Sequence, residues 1–115
     1  MIYLFGIPNC DTVKKARAYL EVNSIAFEFI DFKKTPPSVE DIILWQKEFG
    51  GLPVNTKGQT YKKFADEYSA LSEKQKIAFI CQNTSMIKRP ILQKEKTVLC
   101  FGFNAEEYQM KLGAK

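Results

Sequence analysis

The stretch "MIYLFGIPNCDTVKKARAYL" (residues 1–20) decides the fold. Its run "IYLF" is rich in branched and aromatic residues and predicts a short buried strand, after which "GIPNC" turns the chain. A helix is predicted over residues 11–22, and its apolar stripe consists of Val13, Ala16 and Leu20. "IAFEFIDF" (25–32) predicts a second strand. Strand, helix and strand in this order form a βαβ unit, which is normally parallel and right-handed.

The middle of the chain contains mainly helix signals, although "KIAFICQ" (76–82) is ambiguous in spacing and length and only the capping box before it favours a helix. Ser38 is placed to cap a helix that runs to about Phe49, and "GGLPVNTKGQT" (50–60) predicts a loop. A short helix is predicted over 60–66, and Ser72 with Gln75 forms a capping box for the next one. Trp45 and most of the phenylalanines are expected in the core.

The last third of the chain reads as a hairpin followed by a helix. "ILQKEKTVLCFGF" (91–103) predicts two strands with "KEK" near the turn, and Asn104 with Glu107 predicts a capping box for a helix ending at about Leu112. A length of 115 residues suits a single α/β domain over 1–115. Its core is predicted over about 1–33 and 86–115, with a helical insertion over about 34–85.

Composition and charge exclude several classes of function. The net charge is +4, but the 15 lysines and two arginines are interspersed with acidic residues, so no direct binding of nucleic acid is expected. The start lacks the charged and apolar regions of a secretory signal, and no apolar run is long enough to span a membrane. Three cysteines, an odd number, argue against a secreted disulfide framework, and we expect a cytoplasmic protein.

The chain contains no histidine. This excludes cysteine–histidine pairs and histidine-dependent serine triads as catalytic devices. Cys10, Cys81 and Cys100 lie far apart and form no CxxC pair, so no zinc site is expected. We predict no other metal site and no tightly bound cofactor. Thiol chemistry in this chain therefore needs another source of activation.

Cys10 stands where the first loop becomes the first helix. The unbonded N–H groups and positive end of a helix stabilise a thiolate, and cysteine pKa values fall from about 8.5 to about 3.5–7.5 in such places. Cys10 is therefore a candidate nucleophile that needs no histidine. The alternative, a buried and inert cysteine that only packs, stays open at this point.

Two segments, "YLFGIPNCDTVKKARAYLEVNSIAFEFIDF" (3–32) and "MIKRPIL" (86–92), resemble the arsenate-reductase-type thiol proteins of the ArsC/Spx group, and most closely its ArsC-like YffB branch. The resemblance implies a thioredoxin-like fold, with a mixed four-stranded sheet and an α-helical insertion. It also implies that Cys10 is the catalytic cysteine, Arg89 an anion-binding arginine and Pro90 a cis-proline beside the site.

The resemblance also implies a substrate class, and the chain departs from the arsenate reductases at two positions. Those enzymes use three arginines around the cysteine, whereas Lys57 and Phe101 stand here at two of the three positions. Lysine lacks the bidentate fork of arginine and phenylalanine lacks a charge, so glutathione-dependent reduction of a disulfide or an oxyanion fits better than an arsenate-specific site. Asp11 and Thr12 are expected either to cap the helix or to contact the substrate.

The Spx side of the resemblance implies a second function, the regulation of transcription by binding RNA polymerase. Its usual switch is a CxxC disulfide at the helix start, and Val13 stands here where the second cysteine would be. Cys81 and Cys100 lack a helix-start context and are expected to be structural. An external thiol, most simply glutathione as co-substrate, would then have to release Cys10 from its product.

Overall fold

The computed structural model describes residues 1–112 of the chain. The residues group into two compact units, one formed by Met1–Thr35 together with the chain from Arg89 onward and the other by Pro36–Lys88. The elements are, in chain order, β1 (Ile2–Gly6), α1 (Asp11–Val22), β2 (Phe27–Asp31), α2 (Val39–Phe49), α3 (Gln59–Ser69), α4 (Glu73–Gln82), a 3₁₀ turn (Thr84–Met86), β3 (Ile91–Lys94), β4 (Thr97–Phe101) and α5 (Ala105–Leu112).

The first unit contains a mixed four-stranded sheet with the strand order β2-β1-β3-β4. β1 is parallel to β2, with Leu4 opposite Phe29, and antiparallel to β3, with Leu4 opposite Leu92. The βαβ unit and the hairpin predicted from the sequence are therefore confirmed. Strand β1 lies inside the sheet, and the chain that leaves it leads directly to Cys10.

One face of this sheet holds the core of the first unit. Helix α1 buries the predicted stripe, and α5 contributes Tyr108, whose hydroxyl donates a hydrogen bond to the Gly102 carbonyl at 3.2 Å. The buried cluster consists of Leu4, Ala16, Leu20, Leu92, Cys100 and Tyr108. Burying such side chains contributes about 1.5–3 kcal/mol for each large apolar residue, and this fixes α1 on the sheet.

Gly6, the last residue of β1, allows α1 to approach the sheet closely. A Cβ atom at Gly6 would lie 2.8 Å from Cγ2 of Val13, which is closer than real Cβ atoms pack. The absence of a side chain at Gly6 therefore sets the height of the first turn of α1 above the strand. That turn contains the candidate nucleophile.

The second unit consists of helices α2, α3 and α4 and the 3₁₀ turn. The cap predicted at Ser38 and the capping box predicted at Ser72 are both confirmed; Ser38 also forms a full capping box, with Asp41, and the partner of Ser72 is Gln75. The prediction for α3 is wrong in length, because the helix runs over Gln59–Ser69 rather than 60–66. Its aromatic stripe continues to Tyr68, whose ring packs edge-on against that of Tyr61, 5.9 Å away.

The predicted core is confirmed in part. Trp45 is fully buried, and Phe32 is buried as well. The other phenylalanines expected in the core are only half-buried: Phe27 and Phe29 lie on the edge strand β2, Phe101 on the edge strand β4, Phe103 in the connection after β4, and Phe79 on α4. Within residues 1–112, no helix is long and apolar enough to cross a membrane.

Candidate active site

Cys10 is the N-cap residue of α1. Its backbone is extended, with φ −90° and ψ 125°, its N–H donates to the Ile7 carbonyl at 3.2 Å, and its carbonyl accepts from the Lys14 N–H at 3.0 Å. Its side chain is partly exposed. The sequence therefore places the thiol at the start of the helix, as expected, and in reach of solvent.

The N-cap position corrects the prediction for the two residues that follow. Asp11 and Thr12 were expected either to cap α1 or to contact a substrate, and capping is wrong because α1 begins at Asp11 itself. The exposed carboxylate of Asp11 lies in the first turn, where its negative charge interacts favourably with the positive end of the helix dipole. A substrate contact by either residue stays a prediction.

The surroundings of Cys10 lower its pKa. Partial burial raises the pKa, but the backbone N–H of Val13, the guanidinium of Arg89 through a hydrogen bond and its charge, and the N–H of Thr12 together outweigh that effect. The thiolate is favoured without an imidazole.

Arg89 reaches Cys10 from the far end of the chain. It stands just before β3, which pairs with β1, and its peptide bond to Pro90 is cis. The Pro90 carbonyl accepts a hydrogen bond from the Gly102 N–H at 2.8 Å, which ties this segment to the end of β4. The pairing of β1 with β3 therefore brings Arg89 to Cys10. The Arg89 guanidinium lowers the pKa of Cys10 through a hydrogen bond and through its charge.

Phe101 and Lys57, which stand at the positions of the two other arginines of the arsenate reductases, lie in different parts of the structure. Phe101 ends β4 opposite Ile91 and is half-buried, so this point of the sheet carries an aromatic ring. Lys57 lies in the second unit, exposed, with its backbone N–H bonded to Asn55 Oδ1 at 3.3 Å. Its predicted contact with an anion stays a prediction.

The surroundings of the other two cysteines raise their pKa values instead of lowering them. Burial, and then the charge and hydrogen bond of the neighbouring Glu107, raise the pKa of Cys100 to about 12. Burial and then the charge of Asp41 raise the pKa of Cys81. Among the described residues, no group of three or more histidine, cysteine, aspartate and glutamate side chains is arranged to hold a metal ion. Thiolate chemistry in this structure is thus concentrated at Cys10.

Sequence reasoning predicted the helix N–H groups beside the thiol but missed two features that fix the helix start. The Ile7 carbonyl accepts a hydrogen bond from the Cys10 backbone N–H, and Gly6 sets the depth of the first turn. The signal available in the sequence is the short "GIPNC" connection, because a glycine and a proline immediately before a helix indicate a tight loop with little freedom.

Comparison with known proteins gives consistent similarities. The ArsC family profile matches residues 5–110. A Streptococcus agalactiae protein named "Global transcriptional regulator Spx" is 33% identical over 110 residues, covering 93% of this chain and 80% of its own. The solved YFFB protein has a TM-score of 0.85 and 31% identity, covering 97% of this chain and 99% of its own. A structure from Streptococcus mutans UA159 described as "a possible arsenate reductase" has a TM-score of 0.75 and 29% identity, covering 90% and 92%.

These structural similarities confirm the fold class predicted from the sequence. The first unit is a thioredoxin-like α/β structure, in which a mixed four-stranded sheet presents a cysteine at the start of its first helix.

Proposed function

Because the chain belongs to the ArsC family, as its resemblance predicts, we propose that it is a thiol-dependent reductase whose nucleophile is the Cys10 thiolate. The observation that supports this most strongly is the lowered pKa of Cys10, at the start of a helix and beside Arg89. The substrate is a disulfide or an oxyanion, and glutathione or another small thiol is the resolving partner. No tightly bound cofactor takes part.

The reaction follows thiol–disulfide exchange. The Cys10 thiolate attacks one sulfur of the substrate disulfide, a new S–S bond forms, and the other substrate sulfur leaves as a thiolate that takes a proton from water. Glutathione thiolate then attacks the substrate sulfur in this mixed disulfide and releases the Cys10 thiolate. The electrons come from glutathione, which leaves in disulfide linkage with the substrate fragment. A second glutathione completes the reduction of that product.

The remaining site residues have supporting roles in this proposal. Arg89 stabilises the thiolate and positions an anionic part of the substrate, with Lys57 as a weaker helper. Asp11 and Thr12 border the attacking sulfur, and Pro90 shapes the substrate cleft. A disulfide is favoured over arsenate because the Arg89 charge already faces the thiolate, and Phe101 adds none.

Turnover with a small disulfide tests the proposal. The purified protein is mixed with 2-hydroxyethyl disulfide and glutathione, and oxidised glutathione is followed by coupling to glutathione reductase and NADPH. We expect turnover that Cys10→Ser abolishes and that the matched variant Cys81→Ser retains. Arsenate in place of the disulfide is expected to turn over more slowly. Unchanged turnover in Cys10→Ser would show that the mechanism is wrong.

A second candidate function is transcriptional regulation through RNA polymerase. It is supported by the 33% identity to the Streptococcus agalactiae Spx protein over 93% of this chain. Val13 leaves no second cysteine for a CxxC switch, so such a regulator would act without that disulfide. Co-purification with purified RNA polymerase tests it: stable binding supports this candidate, and its absence together with turnover supports the reductase.

A further inference from the structure

An open cavity of about 400 Å³ lies beside helix α1 and the edge strand β2. Residues 28–31 of β2 form one wall, and Arg17, Lys34, Thr35 and Pro8 complete it; we call it the α1–β2 cavity. All of these residues belong to the first unit. The volume lies in the range of small-molecule clefts, about 300–1,000 Å³.

The α1–β2 cavity is lined by charges of both signs. Arg17 and Lys34 are cationic, and Glu28 and Asp31 are anionic. Within the described part of the chain, none of these four side chains forms an ion pair. Opposite charges that share one cavity without neutralising each other are complementary to a ligand that carries both signs on neighbouring atoms.

Two of these groups are held in place. The guanidinium carbon of Arg17 lies 4.4 Å from the centroid of the Phe29 ring, a cation–π contact that leaves the planar N–H fork to face a carboxylate. Asp31 Oδ1 accepts a hydrogen bond from the Lys33 N–H at 2.9 Å, and its backbone carbonyl accepts from the N–H groups of Lys34 and Thr35 at 3.0 and 2.8 Å. The cation and the carboxylate are thus preorganised.

The α1–β2 cavity is also within reach of the thiol. Arg17 follows Cys10 by seven positions, which places both on the same face of α1 and roughly 10 Å apart along its axis. Helical side chains lean toward the N-terminus, and Pro8 in the cavity wall belongs to the loop that leads to Cys10. In glutathione, seven bonds join the α-carbon of the γ-glutamyl group to the sulfur, about 9 Å when extended.

We propose that the α1–β2 cavity binds an α-amino-acid head group, with the carboxylate on Arg17 and the ammonium on Asp31, and that its occupant is the γ-glutamyl end of glutathione. The head-group chemistry is argued from the cavity alone. The choice of glutathione over a free amino acid rests on the proposed reductase function, because it requires the ligand sulfur to reach Cys10.

The test uses S-methylglutathione, which cannot exchange disulfides, and the amide chemical shifts of the ¹⁵N-labelled protein. We expect saturable shifts at Arg17, Phe29 and Asp31. Removal of the ligand's ammonium group, in S-methyl-N-glutaryl-cysteinylglycine, is expected to weaken binding by about tenfold or more. Arg17→Met keeps the apolar stem on Phe29 and is expected to weaken binding similarly, whereas the matched variant Lys14→Met on the same helix leaves it unchanged.

Asp31→Asn is a second variant in case Arg17→Met does not fold. It is expected to fold because the asparagine side-chain oxygen can still accept the hydrogen bond from the Lys33 N–H. It is expected to weaken S-methylglutathione but not the analogue without an ammonium group. Equal binding of free glutamine would support the head-group site and overturn glutathione as its occupant. Shifts elsewhere, or full affinity in both variants, would overturn the site itself. Because this ligand has no thiol, failure here leaves the turnover test of the reductase independent.

Discussion

Adding one methyl group at Gly6 tests how the sheet positions the nucleophile. In Gly6→Ala the new Cβ would lie 2.8 Å from Val13 Cγ2, whereas ordinary contacts begin at 3.4 Å. The strand and helix must therefore separate by about 0.6 Å, because a valine in a helix has one strongly preferred rotamer and cannot turn away. We expect a loss of about 1–3 kcal/mol in the free energy of unfolding, as for other overpacked cores.

Urea unfolding measures this loss, and we expect the midpoint to fall by about 1 M. The control is a double-mutant cycle with Val13→Ala, which removes both methyl groups that the new Cβ meets. Because the clash disappears in the double variant, it should be more stable than the sum of the single effects predicts, by about 1–3 kcal/mol.

The same variants report on the thiol. The N–H groups that favour the Cys10 thiolate belong to the turn that Gly6→Ala displaces, so the pKa read from the alkylation rate against pH should rise and return toward normal in the double variant. Additive stability effects, or a pH profile of Cys10 that Gly6→Ala leaves unchanged, would refute the reasoning.

Further predictions concern the thiols and the helix caps. Arg89→Gln should raise the pKa of Cys10 and slow its alkylation near pH 6.5, whereas Lys88→Gln should not; equal profiles would contradict the role of Arg89. Cys100, with a pKa raised to about 12 and 3% exposure, should resist iodoacetamide between pH 7 and 9 until urea unfolds the chain; labelling in the native state would count against its burial. Because the folded chain lowers the pKa of Cys10, ionisation of this thiol stabilises the fold. This contribution to the free energy of unfolding is complete above the ordinary thiol pKa, and it is lost as the pH falls through the lowered pKa of Cys10 in the folded chain. The stability difference between wild type and Cys10→Ser should therefore grow from pH 6 to pH 9, and a flat difference would contradict the shift. Ser72→Ala removes a capping box and should cost about 0.5–2 kcal/mol in thermal unfolding.

Local sequence signals predicted most of the secondary structure because each element is specified by nearby residues. The stripe of α1, the capping box at Ser72 and the hairpin from 91 to 103 all depend on positions within a few residues of one another. The length of α3 was the exception. Its stripe is built from aromatic residues, Tyr61, Phe64 and Tyr68, which have only moderate helix propensity, so the sequence pattern is weak.

The candidate site could be predicted only in part. Cys10 is recognisable because a loop followed by a helix is a local pattern, whereas Arg89 came from a resemblance and reaches the thiol only through strand pairing. The α1–β2 cavity was missed for the same reason. Its charges come from α1, from β2 and from the turn that follows, and no spacing along the chain connects Arg17 with Asp31.

The pairing of β1 with β3 has a consequence for biosynthesis. Residue 10 leaves the ribosome long before residue 89, and the hydrogen bond from Gly102 to Pro90 needs still later residues. During synthesis the cysteine thus lacks its guanidinium neighbour, which arrives only when the last strands close the sheet. The part of the lowered Cys10 pKa that comes from Arg89 is therefore a property of the finished polypeptide, whereas the part that comes from the N–H groups of Val13 and Thr12 needs only the start of α1.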